Sequence, residues 1–146
     1  MLTLTEAQNI IVTALHNIGS ETIAFNQCKG RILADDIVAT RALPPFDNSA
    51  MDGYAVRQAD TAEASQANPK PLQVTETIAA GKVTNKVLQA GQAFRIFTGA
   101  AIPQGADAVV IQENTERVDN TVYIHQEAKP QEHIRFKGED VEPKST

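Results

Sequence analysis

The stretch "PPFDNSAMDGYAV", Pro44 to Val56, is where the sequence changes character. Neither proline has an N–H to give and each fixes its own φ, so Pro44-Pro45 blocks both a continuing helix and a paired strand. Over residues 3–18 the apolar residues recur at helical steps, and after residue 20 the period changes. After Met51 they come in short runs, broken by turns at intervals of about ten residues. Such spacing favours a mainly β module over parallel β-α units, because helical crossovers are missing.

Upstream, Ala7, Ile10, Ile11, Ala14, Leu15 and Ile18 form one apolar stripe, which predicts a helix over residues 3–18. Thr3 with Glu6 makes a capping box, Thr5 with Gln8 is a second candidate, and Gly19 is the expected stop. A helix of about four turns needs its stripe covered. Little else in the chain reads as helical, so a second copy of the chain is the expected cover. His16 beside the stripe is read as a solvated or core-edge residue.

Between the helix and the prolines, "ETIAF" alternates like a strand. "NQCKGRILADDIVA" reads as a turn or short helix leading into another, with Ile32, Leu33, Ile37 and Val38 apolar. Downstream, "YAVR", "LQVTETIAA", "KVTNKVLQAG", "QAFRIFTGA" and "ADAVVIQE" are the expected strands, and "QADTAEASQANPKP" is a loop. "ERVDNTVYIHQE" is a hairpin with Asp119-Asn120 at its tip. The closing "HIRFKGEDVEPKST" alternates and then ends polar.

The chain has 146 residues, enough for one compact domain or two small pieces sharing a core. At 42% hydrophobic and 5% aromatic, its core should be mostly Val, Ile, Leu and Ala, anchored by Phe25, Phe46, Phe94, Phe97 and Phe136. A formal charge of −5 and a pI near 5.1 argue against nucleic acid, whose binders carry a basic stripe to neutralise phosphates. The single cysteine, Cys28, rules out an internal disulfide and any Cys-only metal site, and reads as a small buried residue in a reducing compartment. No apolar run approaches a membrane span, and the N-terminus lacks the basic start and apolar run of a signal peptide. The expectation is a cytoplasmic protein without membrane contact.

Three loops can carry chemistry. In the first, Asp47-Asn48-Ser49-Ala50-Met51-Asp52-Gly53, the prolines stiffen the entry, Gly53 permits a positive φ, and Phe46 and Met51 anchor by burial while the polar groups face outward. Such a loop can hold Asp52 as a ligand for a metal or a polar substrate. Equally, it can be an Asx-turn whose side chains cap local N–H groups. Two carboxylates, Asp47 and Asp52, could also share a cation, the basis of a Mg-dependent phosphoester hydrolase reading. In the second loop, "IFTGAAIPQGADAVV", Thr98 and Gly99 follow a strand directly, where a rigid scaffold commonly positions ligands. It resembles a phosphate cradle only loosely, lacking the P-loop Lys and spacing, and an ordinary β-turn remains open. The third, "RFKGEDVE", sets Arg135, Lys137, Glu139 and Asp140 around Gly138. It suits an anion, a divalent cation or a solvated chain end. There is no G-x-S-x-G, H-E-x-x-H or G-x-G-x-x-G, and His16, His125 and His133 show neither triad nor zinc spacing.

Together "GRILADDIVA", "LPPFDNSAMDGYAV", "FRIFTGAAIPQGADAVVIQE" and "IRFKGEDV" resemble, in order and spacing, the N-terminal portion of the molybdopterin molybdenumtransferase family. The resemblance covers nearly all of residues 1–146, about the first third of a full-length member. It implies a coiled, bifurcated β-sheet module inserted in an N-terminal helical and extended segment. Residues 1–43, rejoined by 138–146, would be that segment, and 44–137 the module lining the active cleft. It further implies a homodimer whose cleft lies between this module and the pterin-binding domain of the other subunit. The substrates would be molybdate and adenylylated molybdopterin, with Mg2+ as cofactor and molybdopterin adenylyltransferase as a candidate partner. Asp52 and Thr98 match the catalytic positions, with Asp52 also the candidate Mg ligand. Asp47, Asn48, Ser49, Gly99 and Asp140 match the substrate-binding loops, and activity would belong to the longer enzyme. A non-enzymatic dimerisation or scaffold module, as in scaffold-like relatives, is the alternative.

Overall fold

A computed structural model describes residues 2–16 and 19–145. The chain divides into two compact units, Met1–Ile37 and Val38–Thr146.

In the first unit, α1 spans Leu4–Ala14 and begins at the capping box read from the sequence. Thr3 N donates to Glu6 Oε2 at 2.8 Å, and Glu6 N donates to Thr3 Oγ1 at 3.3 Å, so two orphan donors are satisfied reciprocally. The helix is shorter than the predicted 3–18. It stops where Leu15 turns extended, well before Gly19, and Ile18 lies outside the described residues. The stripe explains the early stop: no α1 residue is buried, so packing adds nothing to the last turn. The expected strands at "ETIAF" and after Cys28 do not form. Phe25–Gln27 is a single 3-10 turn, and Arg31 pairs with Glu21. Cys28 is exposed rather than buried, and Phe25, at 92% exposed, anchors nothing.

The second unit is mainly β. Its strands are β1 (Asn48–Ser49), β2 (Gly53–Val56), β3 (Lys70–Ile78), β4 (Gln92–Ile96), β5 (Ala108–Ile111), β6 (Thr115–Val118), β7 (Thr121–Ile124) and β8 (Ile134–Arg135). Six of them make one mixed sheet in the order β5-β2-β4-β3-β7-β6, and β1 pairs with β8 separately. The hairpin tip is where the sequence puts it: Asp119 adopts φ 52° between β6 and β7. One pairing is parallel, β3 with β4. Its crossover, residues 79–91, contains no strand, so "KVTNKVLQAG" is a connection rather than the expected strand.

The sheet is buried on both faces near its middle. Tyr54, Val56, Leu72, Val74, Val122 and Ile124 fill one side. Ala55, Ile78, Phe94, Ile96 and Val109 fill the other. Leu72, Val74 and Ile78 are all even-numbered, yet Ile78 lies on the opposite side. A register shift between Val74 and Glu76 accounts for it, because one extra residue reverses the alternation. Of the predicted aromatic anchors, Phe94 is fully buried, whereas Phe46 and Phe136 are 43% and 39% exposed.

Residues 39–43 run alongside residues 138–145. Ala39 N donates to Ser145 O, Lys144 N to Ala39 O, Leu43 N to Val141 O and Gly138 N to Pro44 O, at 2.8 to 3.0 Å. The Leu43-Pro44 peptide is cis.

Candidate functional site

The three loops singled out in the sequence come together. β1, inside the first loop, pairs on one side with β8, so that Asn48 faces Arg135 and Ser49 faces Ile134. On its other side it meets the second loop. Ser49 N donates to Ala100 O at 3.0 Å, Gly99 N to Ser49 O at 2.8 Å and Ile102 N to Asp47 O at 3.0 Å. The first loop is therefore a short strand clamped between two others rather than a free bend.

That clamping inverts the expected burial. Asn48 and Ser49 are buried, at 8% and 0% exposed, while Met51 is 39% exposed. A polar side chain is tolerated inside when its hydrogen bonds are met, and here local backbone meets them. Asn48 Nδ2 donates to Phe46 O at 3.1 Å, and Ser49 Oγ donates to Met51 O at 2.6 Å. Asp47 Oδ1 accepts from Lys137 N at 2.8 Å, tying the first loop to the third.

Asp52 differs from its neighbours. It is half-buried, and its Oδ1 accepts two hydrogen bonds from the second loop, from Thr98 N and Thr98 Oγ1, each at 2.8 Å. Among the described residues, Oδ2 accepts none. The Thr98 backbone N–H, the Thr98 hydroxyl and the more distant Arg95 charge hold the carboxyl below its ordinary pKa, against a smaller opposing effect of burial. At neutral pH Asp52 is an anion with one oxygen secured and one available.

Gly53 is not in the left-handed region, contrary to the expectation of a positive φ. The glycine is required for closeness: a Cβ there would sit 2.0 Å from Val110 O. It lets β2 start directly after Asp52 while lying tightly against β5. In the second loop, Gly99 does adopt a positive φ, of 80°. The N–H groups of Thr98, Gly99 and Ala100 are taken by Asp52, Ser49 O and Phe97 O, so these three consecutive amides are not free to cradle a phosphate. In the third loop, both oxygens of Asp140 accept from Arg135 Nη2, at 2.7 and 2.6 Å. Glu139 Oε1 accepts from Arg135 Nε at 2.6 Å, and its carboxyl is held below the ordinary value by that bond first and by Phe136 N second. Asp140 is engaged locally and shares no hydrogen bond with Asp52.

Sequence reasoning missed Arg95. Its Nη1 donates to Gly53 O at 3.0 Å and its Nη2 to Gln112 Oε1 at 2.6 Å. Its guanidinium lies 5.2 Å from the Tyr54 ring centroid and 4.7 Å from that of Phe97. No group of three or more His, Cys, Asp or Glu side chains suited to a metal exists among the described residues. Asp52 Oδ2 is one hard oxygen ligand of the kind Mg2+ takes, but the described residues do not build a complete cation cage.

Among the described residues, no helix is long and apolar enough to cross a membrane. The family model described as "MoeA N-terminal region (domain I and II)" matches residues 2–146. A protein named molybdopterin molybdenumtransferase 2 from Mycobacterium tuberculosis is 44% identical over 141 residues, which are 97% of this chain and 35% of that protein. A molybdopterin molybdenumtransferase from Nostoc sp. is 41% identical, over 94% of this chain and 32% of its own length. The chain thus spans about a third of the length of these curated relatives. A crystal structure of the molybdopterin biosynthesis moeA protein from Pyrococcus horikoshii OT3 superposes with a TM-score of 0.80 at 40% identity, over 86% of this chain and 33% of that one. On sequence and fold together, the chain belongs to the MoeA N-terminal region family.

Proposed function

We propose that this chain supplies one wall of the active cleft of a molybdenum-insertion enzyme. The enzyme acts on molybdate and adenylylated molybdopterin in the last step of molybdenum-cofactor synthesis. The observation that carries the reading is the Asp52 carboxylate, secured by Thr98 through one oxygen and open at the other. The relatives, molybdopterin molybdenumtransferases by name, suggest the substrate class.

In this reading Asp52 and Thr98 are the catalytic pair. Asp52 stays ionised and presents Oδ2 to the substrate or to a water beside the adenylate, and Thr98 fixes its orientation from the neighbouring loop. Asn48, Ser49 and Gly99 shape the wall through their backbone ladder, Asp47 ties its edge to the third loop, and Asp140 holds Arg135 within that loop. Asp52 Oδ2 would hold Mg2+ as one hard oxygen ligand, and the remaining ligands would come from outside this chain's described residues. Bound there, the ion supplies Lewis-acid polarisation of a phosphoryl oxygen.

The cleft is completed in a homodimer, working in the cytoplasm and receiving its substrate from molybdopterin adenylyltransferase. Residues 1–43 with 138–146 form the helical and extended part, and residues 44–137 the cleft module. The pairing of residues 39–43 with 138–145 supports that division. The exposed Ile10 and Ile11 of α1, with Leu15 just beyond it, support a covering protomer. That same stripe favours a second reading, a dimerisation or scaffold module without catalysis. A tight dimer with no affinity for molybdopterin, adenylate or magnesium would establish the second reading.

The test of the first is Asp52→Ala in the protein that carries this chain. Insertion, read as reconstitution of a molybdenum-free apoenzyme, is expected to be abolished while the variant unfolds cooperatively like the parent. Normal insertion would refute the role.

A further inference from the structure

We propose that Arg95 is a positioning residue for Asp52, holding the two successive peptide carbonyls that follow its side chain, Asp52 O and Gly53 O, so that Oδ2 is left in one place. This deepens, and rests on, the reading of Asp52 as a cleft carboxylate.

The geometry begins with register. Arg95 on β4 pairs with Tyr54 on β2, which puts their side chains on the same face of the sheet, and Phe97 follows two residues later on that face. The guanidinium lies against both rings, 5.2 Å from one centroid and 4.7 Å from the other, which leaves its edge as the direction in which it can donate. That edge meets two acceptors. Nη1 reaches Gly53 O at 3.0 Å, the carbonyl of the residue that follows Asp52. Nη2 reaches Gln112 Oε1 at 2.6 Å, and the backbone N–H of Gln112 in turn donates to Asp52 O at 3.1 Å. One planar group thus fastens the carbonyl after Asp52 directly and the carbonyl of Asp52 through a single intermediary.

The Thr98 bonds fix the carboxylate itself. With the backbone held by Arg95 and Oδ1 held by Thr98, rotation about the Asp52 side chain is restricted and Oδ2 is left in one place. The requirement is for arginine in particular. Lysine carries the same charge on a single nitrogen and cannot span two acceptors while lying flat between two rings. Arg95 therefore acts through Asp52 and is not itself a catalytic residue.

The test compares Arg95→Gln and Arg95→Lys, read in two ways. In the 146-residue chain, the NMR shift and hydrogen-exchange protection of the Thr98 amide report its bond to Asp52 Oδ1. In the protein that carries the chain, insertion is resolved into kcat and KM. Both variants are expected to move the Thr98 amide shift and lower its protection at neutral pH. Both should lower kcat by about tenfold to a hundredfold, as misplacement of a reacting group does, with KM changed less than twofold. Lysine should not rescue. Should Arg95→Gln fail to fold, Gln112→Ala serves: Gln112 is exposed, and its loss removes one of the two acceptors, so a smaller change of the same sign is expected. An unchanged Thr98 amide in folded Arg95 or Gln112 variants, or full rescue by lysine, overturns the inference. Normal insertion by Asp52→Ala would instead overturn the functional reading, which separates the two failures.

Discussion

Replacing Gly53 by alanine tests whether the start of β2 is held as closely as the structure has it. An added Cβ would lie 2.0 Å from Val110 O, 2.9 Å from Val110 C and 3.0 Å from Ile111 Cα. All three are backbone atoms of β5, so no side-chain rotation can relieve them. Gly53 also pairs across to Ile96 of β4, so β2 cannot retreat without breaking a second ladder. Small-to-large changes in packed interiors cost about 1–3 kcal/mol, and a clash with backbone on a central strand belongs at the upper end, about 3 kcal/mol. For a unit of this size that lowers Tm by on the order of 10–20 °C. Gly81→Ala is the control: its φ is +74°, but nothing lies within 4 Å of the added carbon. Only the left-handed penalty then applies, about 1–2 kcal/mol. Urea unfolding of both variants gives the comparison. If Gly53→Ala loses no more stability than Gly81→Ala, the close approach behind Asp52 is not real.

Two predictions follow from carboxyls held below their ordinary range. The Glu6 carboxyl is lowered by the Thr3 N–H first and the Thr3 hydroxyl second, so its contribution is complete above the unfolded value, about 4.3, and is lost as pH falls through the lower folded value. Circular dichroism should therefore show α1 loosening on acidification below about pH 4. Thr3→Ala should already have lost helix at neutral pH and respond less to acid; an unchanged acid transition would contradict the cap. For Asp52 the same sign applies: its folded-state contribution is present above the ordinary carboxylate range and fades below it. Thr98→Val removes the hydroxyl but keeps the backbone N–H, so a carbon-detected NMR titration should find the Asp52 midpoint raised part of the way back to normal. An unmoved midpoint would contradict the Thr98 hydroxyl bond.

What the sequence made legible was local. The Thr3–Glu6 box and the turn at Asp119-Asn120 each depend on residues within a few positions, and each is where it was expected. The mainly β class followed from the same turn spacing. Errors came wherever distant partners decide the outcome. Ile32, Leu33 and Ile37 have strand-like character but no strand to pair with, and they remain exposed. "KVTNKVLQAG" was expected to be a strand, yet β4 and β7 already occupy both edges of β3. Ser49 goes inside because Met51 O accepts its hydroxyl, while the larger Met51 stays out, an inversion hydrophobicity alone does not show. Asp52 and Thr98 were each visible as loop residues, but the bond between them spans 46 positions. Arg95 reads in the sequence as one more polar residue of an alternating strand. Only cross-strand register reveals Tyr54, Phe97 and Gly53 around it.

The most direct test of the account is molybdate insertion by Asp52→Asn in the protein that carries this chain. Asparagine is nearly the same size, and its carbonyl oxygen still accepts from Thr98 N and Thr98 Oγ1, so the loops remain tied. The only substantial change is at the outward position, where a neutral amide NH2 replaces an anionic oxygen. The account predicts a normally folded protein that does not insert molybdate. Insertion at the parent rate would mean that the open carboxylate oxygen is not what the cleft uses.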